Sequence, residues 1–328
     1  MAAADAIAAS GLTKFYGHLR AVDHVDLRVP AGGRFGLLGP NGAGKTTMIK
    51  LLTGLSEISE GDAVVAGYDV RTDPMHVKQN VGWVASEVIL DDDLSAWENL
   101  WLQAKLQRLD RWTDRAESLL AYFELGDRRK DKVGTYSTGM RKKLEIALAL
   151  LHAPQIIFMD EPTIGLDAGT RRTLWDLIRG VNAEFGITVL LTTHYIEEAD
   201  ILCDRVAVID HGRIVATGSP SELKAKVRTD FIEIELAPPV PEDRLRAVPG
   251  VLEAKSAGPV WTLRVESAEV VLPRLLAALS GEGIRSIRVD KPSLETVFLD
   301  LTGKRLDAEG TGPVDYRKFY AQMRRARQ

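Results

Sequence analysis

From Tyr136 to Thr163 the sequence reads YSTGMRKKLEIALALLHAPQIIFMDEPT: a Ser/Gly turn, an amphipathic stretch of helix length, then an apolar run that stops on two adjacent carboxylates. Ile156, Ile157, Phe158 and Met159 show no alternation, which is the pattern of a strand covered on both faces of a parallel sheet. Asp160 and Glu161 therefore fall at the carboxyl end of that strand, where open α/β sheets bind their ligands. Two carboxylates there can divide labour, one holding a metal through water and the other polarising an attacking water. A solvated acidic strand end is the competing reading, and the apolar run before the pair weighs against it.

Upstream, GPNGAGKTT (Gly39 to Thr47) follows the apolar Phe35-Gly36-Leu37-Leu38 and precedes Met48-Ile49-Lys50-Leu51-Leu52. It fits the strand, glycine-rich loop and helix of a phosphate-binding P-loop. Asn41, Gly42, Ala43 and Gly44 are placed to turn backbone N–H groups toward phosphate oxygens at a positive helix N-terminus. Lys45 is expected to reach the β- and γ-phosphates of ATP, and the Thr46 hydroxyl, with Thr47 beside it, to serve Mg²⁺. A P-loop alone leaves kinases, GTPases and helicases open.

The other pieces decide. Tyr136-Ser137-Thr138-Gly139-Met140 opens an amphipathic helix, and His194 follows the β-branched run Ile187 to Thr193. In this order the chain resembles the ATP-binding cassette (ABC) family from about Gly11 to Leu223. The resemblance implies an α/β fold: a mixed sheet with a RecA-like core and a helical subdomain. It further implies that Glu161 is the general base or water-positioning group, Asp160 the second-shell Mg²⁺ anchor and His194 the γ-phosphate sensor. Tyr16, before Gly17, takes the place of the aromatic that stacks on adenine, with ordinary packing as the alternative. Ser137, Thr138, Gly139 and Met140 correspond to the signature turn, and Asp167 to the aspartate loop, both of which address the opposite protomer. One cassette per chain then implies a homodimer sandwiching two Mg-ATP, closed by ATP and released by hydrolysis.

Two positions depart from the family pattern. Thr138 stands where glycine is usual; because Thr is stiff at χ1 and avoids positive φ, the turn must keep negative φ there or carry strain. Ser86, in Val81-Gly82-Trp83-Val84-Ala85-Ser86-Glu87, occupies the slot of the loop glutamine. Its shorter side chain is expected to lie near the metal.

A helical subdomain is expected over about 94–132, with Ser95-Ala96-Trp97-Glu98 as a capping box and Trp97, Leu100, Trp101 and Ala104 on one helical face. Those side chains are read as core packing; the alternative is that one tryptophan lines the groove receiving a permease helix, with Asp91-Asp92-Asp93 as an acidic rim.

The cassette is expected to occupy residues 1–228. Beyond it, 229–305 reads as strand, helix, two strands, helix and strand, a small ferredoxin-like α+β unit. Pro292 to Gly303 resembles the C-terminal extension of exporter ATPases that serve six-helix permeases. Residues 306–328 read as a linker and a basic tail with Tyr316, Phe319, Tyr320 and Met323 on one helical face. Such a tail can lie on an anionic membrane or dock on a partner; a frayed solvated tail is the alternative.

Net charge of −4 gives no hint of nucleic acid, and the lone Cys203 fits a reducing compartment. No stretch approaches the ~20 apolar residues of a membrane span. A cytoplasmic location, peripheral on the inner membrane face through a separate permease, is expected. The reading is an exporter ATPase; a soluble ABC-type regulator and an importer ATPase are the alternatives.

Overall fold

The computed structural model describes residues 5–87, 89–226, 230–237, 240–290 and 293–302, and these divide into two compact units, one up to Pro220 and the other from Ser221. In the first unit the chain runs β1 (Asp5–Tyr16), β2 (Leu19–Pro30), β3 (Arg34–Leu38), α1 (Lys45–Leu52), β4 (Glu60–Val65), β5 (Tyr68–Asp69), α2 (Pro74–Asn80) and β6 (Val81–Val84). It continues through α3 (Ala96–Leu106), α4 (Thr113–Tyr122), α5 (Thr138–Leu150), β7 (Ile156–Asp160), α6 (Ala168–Phe185), β8 (Thr188–Thr193), α7 (Ile196–Leu202), β9 (Arg205–Asp210) and β10 (Arg213–Gly218).

Two sheets share this unit. β2-β1-β4-β5 form an antiparallel sheet, and β10-β9-β3-β8-β7-β6 form a mixed one whose members are parallel except for β10. The expected mixed sheet is thus present, and β7 lies inside it, between β6 and β8, with every residue buried. β8 is buried throughout as well, which its β-branched run Thr188 to Thr193 suits. One apolar cluster joins the two sheets through α1: Val25 and Leu27 from β2, Met48 and Ile49 from α1, Phe35 and Leu37 from β3, Phe158 from β7. That packing fixes α1, and hence the loop before it, against the carboxyl ends of β3 and β7.

The expected helical stretch is two helices, α3 and α4, followed by short 3-10 turns at Gly126–Arg128 and Val133–Thr135. Ser95 caps α3 as its sequence predicts: its hydroxyl accepts from the Glu98 N–H, and the Glu98 carboxylate accepts from the Ser95 N–H. The four-residue apolar stripe does not all turn inward. Leu100 and Ala104 are buried, but Trp101 is 47% exposed; at an angular offset of about 100° per residue from Leu100 it lies on the flank of the helix rather than its core face.

The second unit comprises α8 (Pro220–Lys226), β11 (Asp230–Leu236), α9 (Glu242–Arg246), β12 (Val251–Ala257), β13 (Val260–Val265), α10 (Ala268–Ala278), β14 (Ile284–Asp290) and α11 (Leu294–Thr302), with Pro220 itself the last residue of the first. Its sheet order β12-β13-β11-β14, antiparallel throughout, is the ferredoxin-like arrangement expected from the order of its elements. Alternate residues of β11, Ile232, Ile234 and Leu236, are buried with Leu245 of α9 and Val271 and Leu275 of α10 in a core of their own. The basic tail expected over 306–328 lies outside the described residues.

Candidate functional site

The loop from Gly39 to Gly44 joins β3 to α1 and is tied down on both sides. Gly39 N–H donates to the Thr193 carbonyl (3.1 Å), Gly212 N–H to the Ala43 carbonyl (2.9 Å), and Asp23 N–H to the Gly212 carbonyl (2.9 Å). Gly44 has φ 104°, and a Cβ there would stand 2.4 Å from the Ala21 carbonyl oxygen. Only glycine fits both the left-handed conformation and this approach. The loop floors a cleft of about 400 Å³ lined by Asn41, Gly42, Gly44, Lys45, Thr46 and Thr47, with Glu161 beyond and Tyr16, Arg20 and His211 along the wall. Ala43, by contrast, is buried beneath the loop. Tyr16 is 48% exposed, so it is not a core residue, and Lys14 Nζ lies 5.2 Å from its ring centre.

Lys45, Glu161 and His194 form a continuous polar chain at this cleft. Lys45 Nζ donates to the carbonyls of Gly39 (2.8 Å) and Pro40 (3.1 Å) and pairs with Glu161 Oε1 at 2.9 Å. His194 Nδ1 lies 2.9 Å from Glu161 Oε2. Burial works against ionisation of Glu161, but the hydrogen bonds and charges of His194 and Lys45 outweigh it and lower its pKa to about 2. An ionised carboxylate can only accept, so the His194 Nδ1 carries the proton and donates it, leaving Nε2 for a second partner.

The backbone of Glu161 is held in an unusual shape, with φ 47°. Its N–H donates to both the carbonyl and the hydroxyl oxygen of Thr192 (3.1 Å each), while the Thr192 hydroxyl donates to Asp160 Oδ1 at 2.5 Å. Thr192 thereby holds the Asp160 carboxylate and the Glu161 backbone from the neighbouring strand, where parallel register sets it beside Asp160. Sequence reasoning passed over it; the signal was a threonine two residues before His194, in the β-branched run that ends at the histidine.

The remaining expected residues lie elsewhere. Ser137 is the N-cap of α5 and accepts from the Met140 N–H (3.3 Å). Thr138 is the first helical residue, outside the set of positive-φ positions, so the turn keeps negative φ there. A Cβ on Gly139 would meet only the Thr170 methyl at 3.6 Å, which sets the start of α5 beside the start of α6. Asp167 caps α6 through the N–H groups of Gly169 and Thr170 and the Thr170 hydroxyl; the last of these is foremost in holding its carboxyl below the usual range. None of Ser137 to Met140, nor Asp167, lines the P-loop cleft. Ser86 is exposed beyond the end of β6 and does not line it either. Asp92 pairs with Arg141 and Asp93 with Lys132, so part of the expected acidic rim is neutralised within the chain.

The donor set suits a magnesium-bound triphosphate. A buried ammonium and loop N–H groups face an anion, the Thr46 hydroxyl is exposed to the cleft, and Asp160 is anchored behind it. Among the described residues there is no cluster of three or more His, Cys, Asp or Glu that could hold a metal without such a ligand. None of their helices is long and apolar enough to cross a membrane.

Comparison with known proteins agrees with this geometry. Residues 22–164 match the family described as ABC transporter, and residues 218–302 match the C-terminal domain of ATP-binding protein DrrA1-3-like. The daunorubicin/doxorubicin resistance ATP-binding protein DrrA of Streptomyces peucetius is 40% identical over 315 residues, covering 93% of this chain and 95% of that protein. The linearmycin resistance ATP-binding protein LnrL of Bacillus subtilis is 36% identical over 318 residues, covering 91% and 98%. A solved structure of cbiO1 from Clostridium perfringens, part of the ABC transporter complex cbiONQ, superposes with TM-score 0.63 at 25% identity over 68% of this chain and 91% of that one.

Proposed function

The chain belongs to the ABC transporter family of ATP-binding subunits, and from that premise we propose that it drives an exporter, as a homodimer bound to a separate six-helix membrane protein at the cytoplasmic face. The observation that carries the reading is the chain Lys45–Glu161–His194 at the mouth of the P-loop. Such a chain can exchange partners. Phosphate oxygens entering the cleft compete with Glu161 for the Lys45 ammonium, and the carboxylate so released can accept from an attacking water. His194, held through Nδ1, then presents Nε2 to the same region. Thr46 and Asp160 are the residues that would hold magnesium, which would supply charge neutralisation for the phosphates. Tyr16 and Arg20 offer a planar ring and a guanidinium for the base and sugar end of the nucleotide.

Ser137, Gly139 and Asp167 lie away from this cleft, as residues that serve a partner's nucleotide must. That placement supports a homodimer in which each copy completes the other's site. For the membrane partner, a groove of about 480 Å³ between α3 and β6 offers exposed Leu102 and Leu106 with Trp83, Leu90 and Leu148 behind them. It can seat an apolar cytoplasmic helix end. Export, rather than import, is supported by the DrrA-type C-terminal unit and by relatives whose names concern drug resistance and Nod factor export.

The test uses Glu161→Gln with Mg-ATP. Loss of hydrolysis together with a dimer on sizing chromatography is expected; an ATP-bound monomer would sink the homodimer. Affinity capture of that variant from detergent-solubilised membranes should bring down an integral membrane protein, whereas capture of a soluble protein alone would support a regulator instead.

A further inference from the structure

Behind the catalytic turn, on the side away from the P-loop cleft, Glu198 of α7 is wholly buried at 0% exposure. α7 begins just after His194 and Tyr195, and the groups around the Glu198 carboxyl include ones from α6 and from the loop after Glu161, with Cys203 at the far end of α7. Trp175 Nε1 of α6 donates to Oε1 at 3.1 Å. The hydroxyls of Thr163 and Thr193 and the guanidinium of Arg171 face the same carboxyl. Thr163, two residues after Glu161, is 1% exposed. Trp175, Thr163, Thr193 and Arg171 thus converge on one buried carboxyl at the back of the histidine turn.

The same elements also grip the histidine turn by its ring. Arg171 lies over the Tyr195 ring at 4.5 Å, and the Tyr195 ring stands 4.1 Å from that of His194. Arg171 and Trp175 are one turn apart on α6, the helix capped by Asp167 and abutting Gly139 at its start. Burial, foremost among the influences on Glu198, pushes its carboxyl up, which suits a group able to donate as well as accept at this point.

We infer that Glu198, with Arg171 and Tyr195, is a latch that holds the His194 turn on α6, so that movement of the Asp167 end of that helix repositions His194 against Glu161. Glu198 touches no nucleotide; it is a positioning residue. The inference rests on the catalytic part given to His194, and it extends that part by naming what sets the imidazole in place. The hydroxyls of Thr163 and Thr193 and the Arg171 guanidinium around the Glu198 carboxyl are the contacts that a shift of α6 would rearrange.

The experiment is a double-mutant cycle on the purified full-length protein, read as ATP hydrolysis. Glu198→Met should lower kcat by about tenfold or more while KM for ATP stays within about threefold, because the P-loop is untouched. Glu198→Gln, which keeps an acceptor for Trp175 and gains a donor, should restore most of that loss. In a His194→Ala background, Glu198→Met should change kcat by less than about twofold, since its only route to the reaction has gone. Arg171→Met, a change at the rim that does not empty the core, should show the same pattern should Glu198→Met unfold. Equal losses in both backgrounds, or a KM rising in step with the fall in kcat, would overturn the latch. If His194→Ala is slow while Glu198→Met runs at the wild-type rate, only the latch falls; if His194→Ala itself is fast, the role given to His194 falls and the latch with it.

Discussion

Glu161 is held by opposing forces that can be separated. Its φ of 47° is one that non-glycine residues seldom adopt, at a cost on the order of 1 kcal/mol, and its carboxyl is 13% exposed between an ammonium and an imidazole. Because the folded-state pKa is lowered from 4.5 to about 2, the stabilisation is complete above pH 4.5 and is lost as the pH falls toward 2. The stability of the wild type relative to Glu161→Gln should therefore fall by about 1–2 kcal/mol between pH 7 and pH 3, measured by urea unfolding at each pH. A gap that stays constant would mean that Lys45 and His194 do not hold the carboxylate in the folded protein. Lys45 was legible from the P-loop pattern and the Asp160–Glu161 pair from the apolar strand it ends, while His194 was legible only through the ordered motifs that carry the family resemblance. Thr192 was not, since its importance comes from lying opposite Asp160 in parallel register, a relation between segments thirty-two residues apart.

At the level of elements, local chemistry predicted ends better than faces. The Ser95–Glu98 capping box is a four-residue pattern, and the structure forms both of its hydrogen bonds. Ser95→Ala is expected to cost about 1 kcal/mol in urea unfolding while leaving ATP affinity unchanged, because α3 contributes nothing to the P-loop cleft. A loss of ATP binding in that variant would mean that the helical subdomain supports the nucleotide directly. The tryptophans of the same helix show the opposite case. Trp97 packs on Trp112, ring centres 5.0 Å apart, and Trp101 is half exposed, although both belong to one periodic stripe. Which of several amphipathic positions becomes core depends on where α4 and α5 lie. Thr138 makes a related point: whether a threonine in place of glycine strains the turn depends on the helix start, and α5 begins at that residue with helical φ.

Across the whole molecule, every residue lining the P-loop cleft falls between Tyr16 and Gly212, and the two units have separate apolar cores. A fragment of residues 1–228 is therefore expected to bind ATP within about twofold of the full-length affinity by calorimetry. A large loss would show that the C-terminal unit shapes the cleft. The sequence by itself pointed to the class of fold, the order of elements in the C-terminal unit and, through the resemblance it carries, the candidate residues of the nucleotide site. Those follow from hydrophobic period, glycine placement and charge at strand ends, all of which act over a few residues. Tertiary structure decided which groups meet: Thr192 with the Asp160 carboxylate and the Glu161 backbone, Ala21 against Gly44, and Glu198 behind the histidine turn. Contacts of that kind depend on strand register and helix packing, which link distant segments through shape and burial that no local pattern encodes.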